Sequence, residues 1–306
     1  MKKILTLLLA AITTTSFAQK TKIQLNLQKD STYYLDQKST LTITQDIPGH
    51  KQVVATVLNG RVAHKVISIT DTSYVLAVRF ESLVMQARLG DNMLMDVNTA
   101  DKSKQDAMSK VMQSMLGRSI TMVITKMGKV LEIRGVDELY NHAFDNFPEL
   151  DEDKKEQVLS RVKQSFGEKA FRSSFQDAFA VFPADPVSVN DTWQASTVME
   201  SAAQAKINTT YLLKNITDNA YVIHGDAQVT PSGNGDYVMT TMPMRYINLT
   251  GSFSADIIID RSTGWIKEEK VAKLVNGDLD IKDNPQVPGG IKFPMSVDAE
   301  ISVTNK

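Results

Sequence analysis

The sequence IKFPMSVDAEISV spans residues 291–303 and carries an apolar side chain at every second position. Polar residues and one proline, Pro294, fill the positions between them. Alternation with a period of two is typical of a β-strand that buries one face. At roughly 3.3 Å per residue this strand would run about 40 Å, which is long for a globular protein. Such a strand indicates a wide, curved sheet, and Pro294 indicates an edge or a bend in it.

Similar alternation extends outward from this stretch over much of the chain. It recurs from about residue 32 to residue 98, at residues 120–133, and from residue 187 onward. Asn59-Gly60 predicts a hairpin turn between two of these segments, because Asn-Gly suits a tight turn with positive φ angles. We therefore predict an α+β fold with predominantly antiparallel β-sheets, arranged as a curved sheet, a sandwich or a half-barrel.

Two segments have helical rather than strand periodicity. Apolar residues fall at spacings of three and four near residues 103–117, and again through residues 136–182. Pro183 and Pro186 then end the second segment, because proline cannot continue a helix. We expect inserted helices near both segments.

Two short motifs indicate an internal duplication. ITDTSYV at residues 69–75 is similar to ITDNAYV at residues 216–222, and both predict a strand, an Asp-initiated turn and a strand. The alternative is a generic similarity between β-meanders. The pattern divides the chain into a signal peptide (1–18), an N-terminal β-meander half (19–135), a helical connector (136–186) and a C-terminal β-meander half (187–306), with both halves in one domain.

The first residues have the pattern of a secretory signal peptide. Lys2 and Lys3 precede the apolar run 4–12, and Ser16-Phe17-Ala18 forms a small-residue cleavage site. The alternatives are a buried helix or a membrane anchor, but the run is too short to cross a bilayer. No later stretch predicts a transmembrane segment. We expect an exported protein, periplasmic or extracellular, that is not a lipoprotein because it has no cysteine to acylate.

Composition excludes several classes of function. The 34 basic and 35 acidic residues give a formal charge of −1, which offers no basic face for nucleic acid. The absence of cysteine excludes disulfides, thiolate zinc sites, iron–sulfur clusters and cysteine nucleophiles. The four histidines lie far apart, and no nucleophile elbow, phosphate loop or dinucleotide motif occurs. We therefore predict no cofactor, no metal site and no catalytic residues.

The leading functional hypothesis is a non-enzymatic exported protein that binds a hydrophobic small molecule or an envelope protein. Its candidate apolar ligand groove comprises Met108, Met112, Met115, Phe171, Phe175 and Phe179. Methionine and phenylalanine stripes can adapt to apolar ligands, although ordinary core packing, which needs no ligand, is the favoured explanation for each stripe. Three alternatives remain: a lipid carrier with a groove between sheet and helices, a hydrolase whose histidine, carboxylate and nucleophile come from distant residues, and a structural or interaction module with a broad apolar patch and no pocket.

Several segments together resemble an uncharacterised family of secreted, β-rich proteins from Bacteroidota. The resemblance covers nearly the whole chain after the signal peptide and rests on SITM (119–122), GKVLEI (128–133), FP (182–183), VSVNDTW (187–193) and IDRSTGW (259–265). Asn190 replaces the family's glycine before Asp-x-Trp, and asparagine also tolerates a left-handed turn. The resemblance implies export and a β-rich fold in which Trp193 and Trp265 anchor sheet packing, and it implies no catalytic residues.

Overall fold

Twelve strands form one continuous antiparallel sheet in the computed structural model of the chain. The structure describes residues 20–141, 143–144, 151–200, 204–233, 235–237 and 242–305. The predicted signal peptide, residues 1–18, lies outside these ranges. Eleven of the strands lie side by side in one hydrogen-bonded order, and the twelfth pairs with one of them outside that order.

The strands follow each other as two meanders. The first comprises β1 (Thr32–Ile47), β2 (His50–Ile69), β3 (Ser73–Leu89), β4 (Asn92–Asn98), β5 (Ser119–Thr125) and β6 (Val130–Arg134). The second comprises β7 (Thr192–Glu200), β8 (Gln204–Ile216), β9 (Ala220–Pro231), β10 (Met244–Asp260), β11 (Ile266–Ile281) and β12 (Ile291–Thr304). One sheet thus contains strands from both predicted halves.

The first and last strands pair in the middle of the sheet. The ladder between β1 and β12 runs from Asp36 opposite Thr304 to Gln45 opposite Met295. It ends one residue before Pro294, so the missing amide hydrogen of that proline leaves no β1 partner unsatisfied. Pro294 therefore lies where the pairing with β1 has ended, although β12 itself is a central strand of the sheet.

Three α-helices occur in the described part of the chain. They are α1 (Ala107–Met115), α2 (Glu152–Phe166) and α3 (Glu168–Phe179), with a short 3₁₀ helix at Asp137–Tyr140. Asp106 caps α1 by accepting from the Ser109 amide at 2.9 Å. Asp151 caps α2 in the same way, at 2.8 Å from the Lys154 amide. The predicted α+β fold, with a curved antiparallel sheet and inserted helices, is confirmed.

The predicted hairpin at Asn59-Gly60 is wrong, because β2 runs without interruption from His50 to Ile69. Gly60 lies opposite Gln37 of β1, and a Cβ added to it would lie 3.3 Å from the Ser82 carbonyl oxygen of β3. The register between β2 and β3 shifts at the next residue pair. The glycine therefore allows a close strand approach beside a bulge.

Trp265 is the centre of the main hydrophobic core. Its side chain is fully buried, and its indole Nε1 donates to the Tyr34 carbonyl at 3.0 Å. Its rings lie 5.1 Å from the His64 ring, 5.2 Å from Tyr33 and 5.3 Å from Phe179. These contacts join the turn before β11 to β1, β2 and α3, so Trp265 anchors the helical layer on the sheet.

Trp193 and Asn190 also have the structural roles that the family resemblance implies. The Trp193 ring stacks on Tyr211 at 5.7 Å, and its Nε1 donates to the Val181 carbonyl at 3.0 Å. Asn190 has a φ angle of 71°, in the left-handed region that favours glycine and tolerates asparagine. The motif thus turns the chain from the helical connector into β7.

Residues 20–28, the N-terminal strap, cross one end of the sheet. Ile23, Leu25 and Leu27 are buried in the main core, although the strap belongs to no strand of the sheet. The Leu25 amide donates to Lys126 in the β5–β6 turn at 2.8 Å, and the Asn26 amide donates to Thr263 in the β10–β11 turn at 2.7 Å. The strap therefore ties the two meanders together.

Each meander contains an equivalent hydrogen bond between two of its own turns. The Lys126 amide donates to the Thr72 carbonyl at 3.0 Å, and the Arg261 amide donates to the Asn219 carbonyl at 3.1 Å. Thr72 and Asn219 occupy the same position in the two repeated motifs. We propose an internal duplication on this geometry, and the division into halves stays a prediction.

We expect Leu25→Ala in the strap to lower the free energy of unfolding by about 2–5 kcal/mol, the range for a fully buried leucine. Lys22→Ala provides the control, because Lys22 is exposed on the same strap and should change stability by no more than about 0.5 kcal/mol. Urea denaturation of both variants measures the difference. Equal stability of the two variants would contradict the role of the strap.

Candidate functional site

The six residues of the predicted apolar groove lie in or against the main core. Met112, Met115, Phe171, Phe175 and Phe179 are buried there, and Met108 packs against the same cluster. Phe171 stacks on Phe80 of β3 at 5.1 Å, and Phe175 meets His64 edge-on at 5.8 Å. None of the six lines the two cavities described next. Their role in ligand binding stays a prediction, and the open space lies on the other face of α3.

Two adjoining cavities lie against that other face. The first, of about 250 Å³, separates α3 from the inner face of the second meander. The second, of about 510 Å³, lies between α3, the β5–β6 turn and β7. Asp177, Ala180, Ala195 and Thr197 line both cavities, so the two form one groove. We call this space the α3 groove.

Small side chains on the sheet create the space under α3. Ala195, Ala227 and Ala255 lie on β7, β9 and β10, where larger side chains would reach the helix. Glycine is required at position 225 for a different reason, because a Cβ there would lie 2.8 Å from the Tyr211 ring. The floor of the groove therefore combines small apolar side chains with the Tyr211 ring.

A charged cluster occupies the middle of the groove. Glu269 and Lys273 project from the same face of β11, since residues at even separations on a strand share a face. Asp177 faces them from α3. The Lys273 Nζ lies 4.5 Å from the centre of the Phe253 ring, at a distance typical of a cation–π contact. The cluster thus sets two carboxyl groups against one ammonium group.

Enclosure changes the proton affinity of these groups. Burial raises the pKa of Glu269 from 4.5 to about 7; Lys273 opposes this shift and Asp177 adds to it. Burial also raises the pKa of Asp177, although more than a third of its surface is exposed and water screens it more. Burial raises the pKa of Tyr211 to about 12, and the Glu269 carboxyl contributes to this rise. The groove therefore disfavours its own negative charge near neutral pH.

His224 lies close to two carboxyl groups, as a hydrolase site would require of its histidine. His224 Nδ1 lies 2.8 Å from Asp256 Oδ1, and His224 Nε2 lies 3.4 Å from Asp226 Oδ2. All three side chains are on the face of the sheet opposite the groove, and no hydroxyl group within the described ranges hydrogen-bonds to His224. The predicted set of histidine, carboxylate and nucleophile is not assembled at this position.

His64 is fully enclosed by the aromatic core. Neither ring nitrogen has a hydrogen-bond partner, although backbone groups of Tyr33 and Val62 lie close enough to favour the protonated ring slightly. Burial outweighs them and lowers the pKa of His64 from 6.5 to about 4. The neutral ring therefore acts as a core aromatic.

The described residues contain no group of three or more His, Asp or Glu side chains placed to hold a metal ion. Within the same ranges, no helix combines the length and the apolar character needed to cross a membrane.

We expect Glu269→Gln to change how stability depends on pH. A carboxyl pKa raised on folding stabilises the native state below about pH 4.5, and this contribution is lost as pH rises through about 7. The variant should match wild type at low pH and exceed it above pH 7 in thermal unfolding. Glu268→Gln is the control, because Glu268 lies on the opposite face and pairs with Lys270. A Glu269→Gln curve parallel to wild type would refute the enclosure of this carboxyl.

We expect the opposite trend from His64. Its imidazole pKa is lowered on folding, so wild type loses stability as pH falls from about 6.5 to about 4, where the unfolded chain binds the proton first. Over this pH range the free energy of unfolding of His64→Leu should therefore fall by ~3 kcal/mol less than that of wild type, as the shift of the pKa implies. Denaturation at several pH values measures it, with the exposed His50→Leu as the histidine control. Identical pH dependence in wild type and His64→Leu would contradict the prediction.

Comparison with known proteins identifies the family of the chain. No curated protein matches the chain. One solved structure, an outer membrane channel from Pseudomonas putida F1, aligns with 91% of this chain and 97% of its own at 9% identity, with a TM-score of 0.22. The model of a family of unknown function, DUF6263, matches residues 71–266, which is more than half of the sequence. The chain therefore belongs to the DUF6263 family.

Proposed function

We propose that this protein is an exported, non-enzymatic binding protein and that the α3 groove holds the apolar chain of an amphiphilic ligand. One observation carries the proposal: α3 covers the second meander incompletely and leaves about 250 Å³ and 510 Å³ of adjoining space. Binding sites for small molecules are typically clefts of roughly 300–1,000 Å³, mostly apolar, with few polar groups. The α3 groove has this size, and apolar side chains form most of the lining of its smaller cavity.

The two faces of α3 support this position for the ligand. One face carries Phe171, Phe175 and Phe179, which pack in the main core and line neither of the two cavities. The other face carries Ser174 and Asp177, which border open space. A ligand on the second face would replace no existing core contact. The hydrophobic-carrier version of the hypothesis is therefore favoured, with its groove displaced from the predicted phenylalanine stripe.

Export itself rests on the predicted signal peptide at residues 1–18. Cleavage after Ala18 would leave the N-terminal strap intact, because its first buried residue is Ile23. The processed chain would therefore keep every core contact described for the strap.

We expect Ala255→Phe to block the groove. Ala255 lines the floor under α3, and a phenyl ring there would occupy the cavity. Titration with the uncharged dye N-phenyl-1-naphthylamine should give saturable binding to wild type and at least about tenfold weaker binding to this variant. Ser254→Phe is the matched control, because Ser254 is exposed on the opposite face of β10.

Thermal unfolding of both variants tests whether the substitution leaves the fold intact, and Val271→Phe blocks the same groove from β11. Mass spectrometry of extracts from protein purified from its own host then identifies bound lipids. A wild-type protein without saturable dye binding and without bound lipid would refute the proposed function.

A further inference from the structure

We infer that the ligand of the α3 groove carries a protonated amine beside its apolar chain, so that an ammonium group meets Asp177 and Glu269. This inference rests on the proposed function and deepens it. Its basis is the combination of a partly open groove with a carboxyl group that has no protein partner of its own.

Glu269 is that carboxyl group. It is partly buried, and it lines the cavity under α3. No hydrogen bond or ion pair to a protein group involves it within the described ranges, where Lys273 instead lies over the Phe253 ring. Its oxygens therefore face the open groove without a protein donor. Partial burial weakens the hydration of such a carboxylate, so a donor from a ligand would stabilise it.

Charge balance indicates the sign of the missing partner. In the smaller cavity, with both carboxyl groups ionised, Asp177 and Glu269 carry two negative charges against the single positive charge of Lys273, whereas Lys129, Lys169 and Arg172 line the larger cavity. An uncompensated charge in a poorly solvated site is unfavourable. A ligand ammonium group would neutralise the remaining negative charge and could donate hydrogen bonds to the carboxylate oxygens. A ligand carboxylate would add a third negative charge and should be rejected.

The groups that face Glu269 come from three elements: Asp177 from α3, Tyr211 from β8 and Lys273 from β11 itself. Tyr211 stays neutral below about pH 12, so Glu269, whose pKa is about 7, is the group that changes charge between pH 5.5 and pH 8. Proton uptake by Glu269 at low pH weakens the attraction for an ammonium group. Amine binding should therefore weaken on acidification.

The test uses the full mature chain and three competitors of equal chain length: dodecylamine, dodecanol and dodecanoate, each below its micelle concentration. Displacement of N-phenyl-1-naphthylamine is measured at pH 8 and pH 5.5. At pH 8 we expect dodecylamine to bind at least about tenfold more tightly than dodecanoate, with dodecanol between them. At pH 5.5 this preference should shrink.

The variants Glu269→Gln and Asp177→Asn should each reduce the preference for the amine while leaving dodecanol displacement unchanged. Glu268→Gln, on the opposite face of β11, should behave as wild type. Asp177 lies on the helix and is partly exposed, so Asp177→Asn carries the test if Glu269→Gln does not fold.

The outcomes separate the two proposals. Equal displacement by all three competitors, or a preference for dodecanoate at pH 8, overturns the inference about the amine and leaves the groove as a binding site. A preference for the amine that both variants retain also overturns it. Failure of the dye and of all three competitors to bind overturns the proposed function itself.

Discussion

The pairing of β1 with β12 is the constraint on which the rest of the structure depends. Because the first and last strands meet in the middle, the strand order β6-β5-β3-β2-β1-β12-β11-β10-β9-β8-β7 has β6 and β7 as its end strands, while β4 pairs with β3 outside this order. The chain between these two end strands is the helical connector, and α3 contacts both of them. One helix must therefore cover two unlike surfaces. Its phenylalanine face fills the core of the first meander, and its Asp177 face borders the second meander without filling it.

Closure at one end of the sheet complements this arrangement. The strap buries Ile23, Leu25 and Leu27 where two pairs of turns meet, and Trp265 fixes α3 to the sheet nearby. A Cβ added at Gly264 would collide with the Gln24 carbonyl, so the strap and the β10–β11 turn lie in direct contact. The smaller cavity of the groove lies away from this end, where small alanine side chains line the sheet under α3. The position of that cavity thus follows from the small side chains of the sheet.

Local pattern was sufficient to predict most of the fold and none of the charged cluster. Strand alternation and helical spacing depend on neighbouring residues, so the strand regions, the helices and the left-handed turn at Asn190 could be inferred. Asn59-Gly60 misled the prediction because a bulged long strand and a hairpin favour the same dipeptide. Glu269 and Lys273 escaped because both faces of β11 carry charged and apolar residues, so that alternation does not reveal which face is buried. Their meeting with Asp177 depends on sheet curvature, which no local pattern encodes.

The two enclosed titratable groups, His64 and Glu269, differ in what surrounds them. His64 is in van der Waals contact with aromatic rings on several sides, and as a neutral ring it fills space as an aromatic residue would. Packing alone therefore accounts for it. Glu269 has no such explanation, since it borders a cavity, has no ion pair, and raises the energy of the native state near neutral pH. A glutamine of nearly equal shape would avoid that cost. Strained or unsatisfied groups of this kind concentrate at functional sites, because binding supplies the partner that folding did not. The unpartnered carboxyl is thus better explained by what enters the groove than by what holds the sheet together.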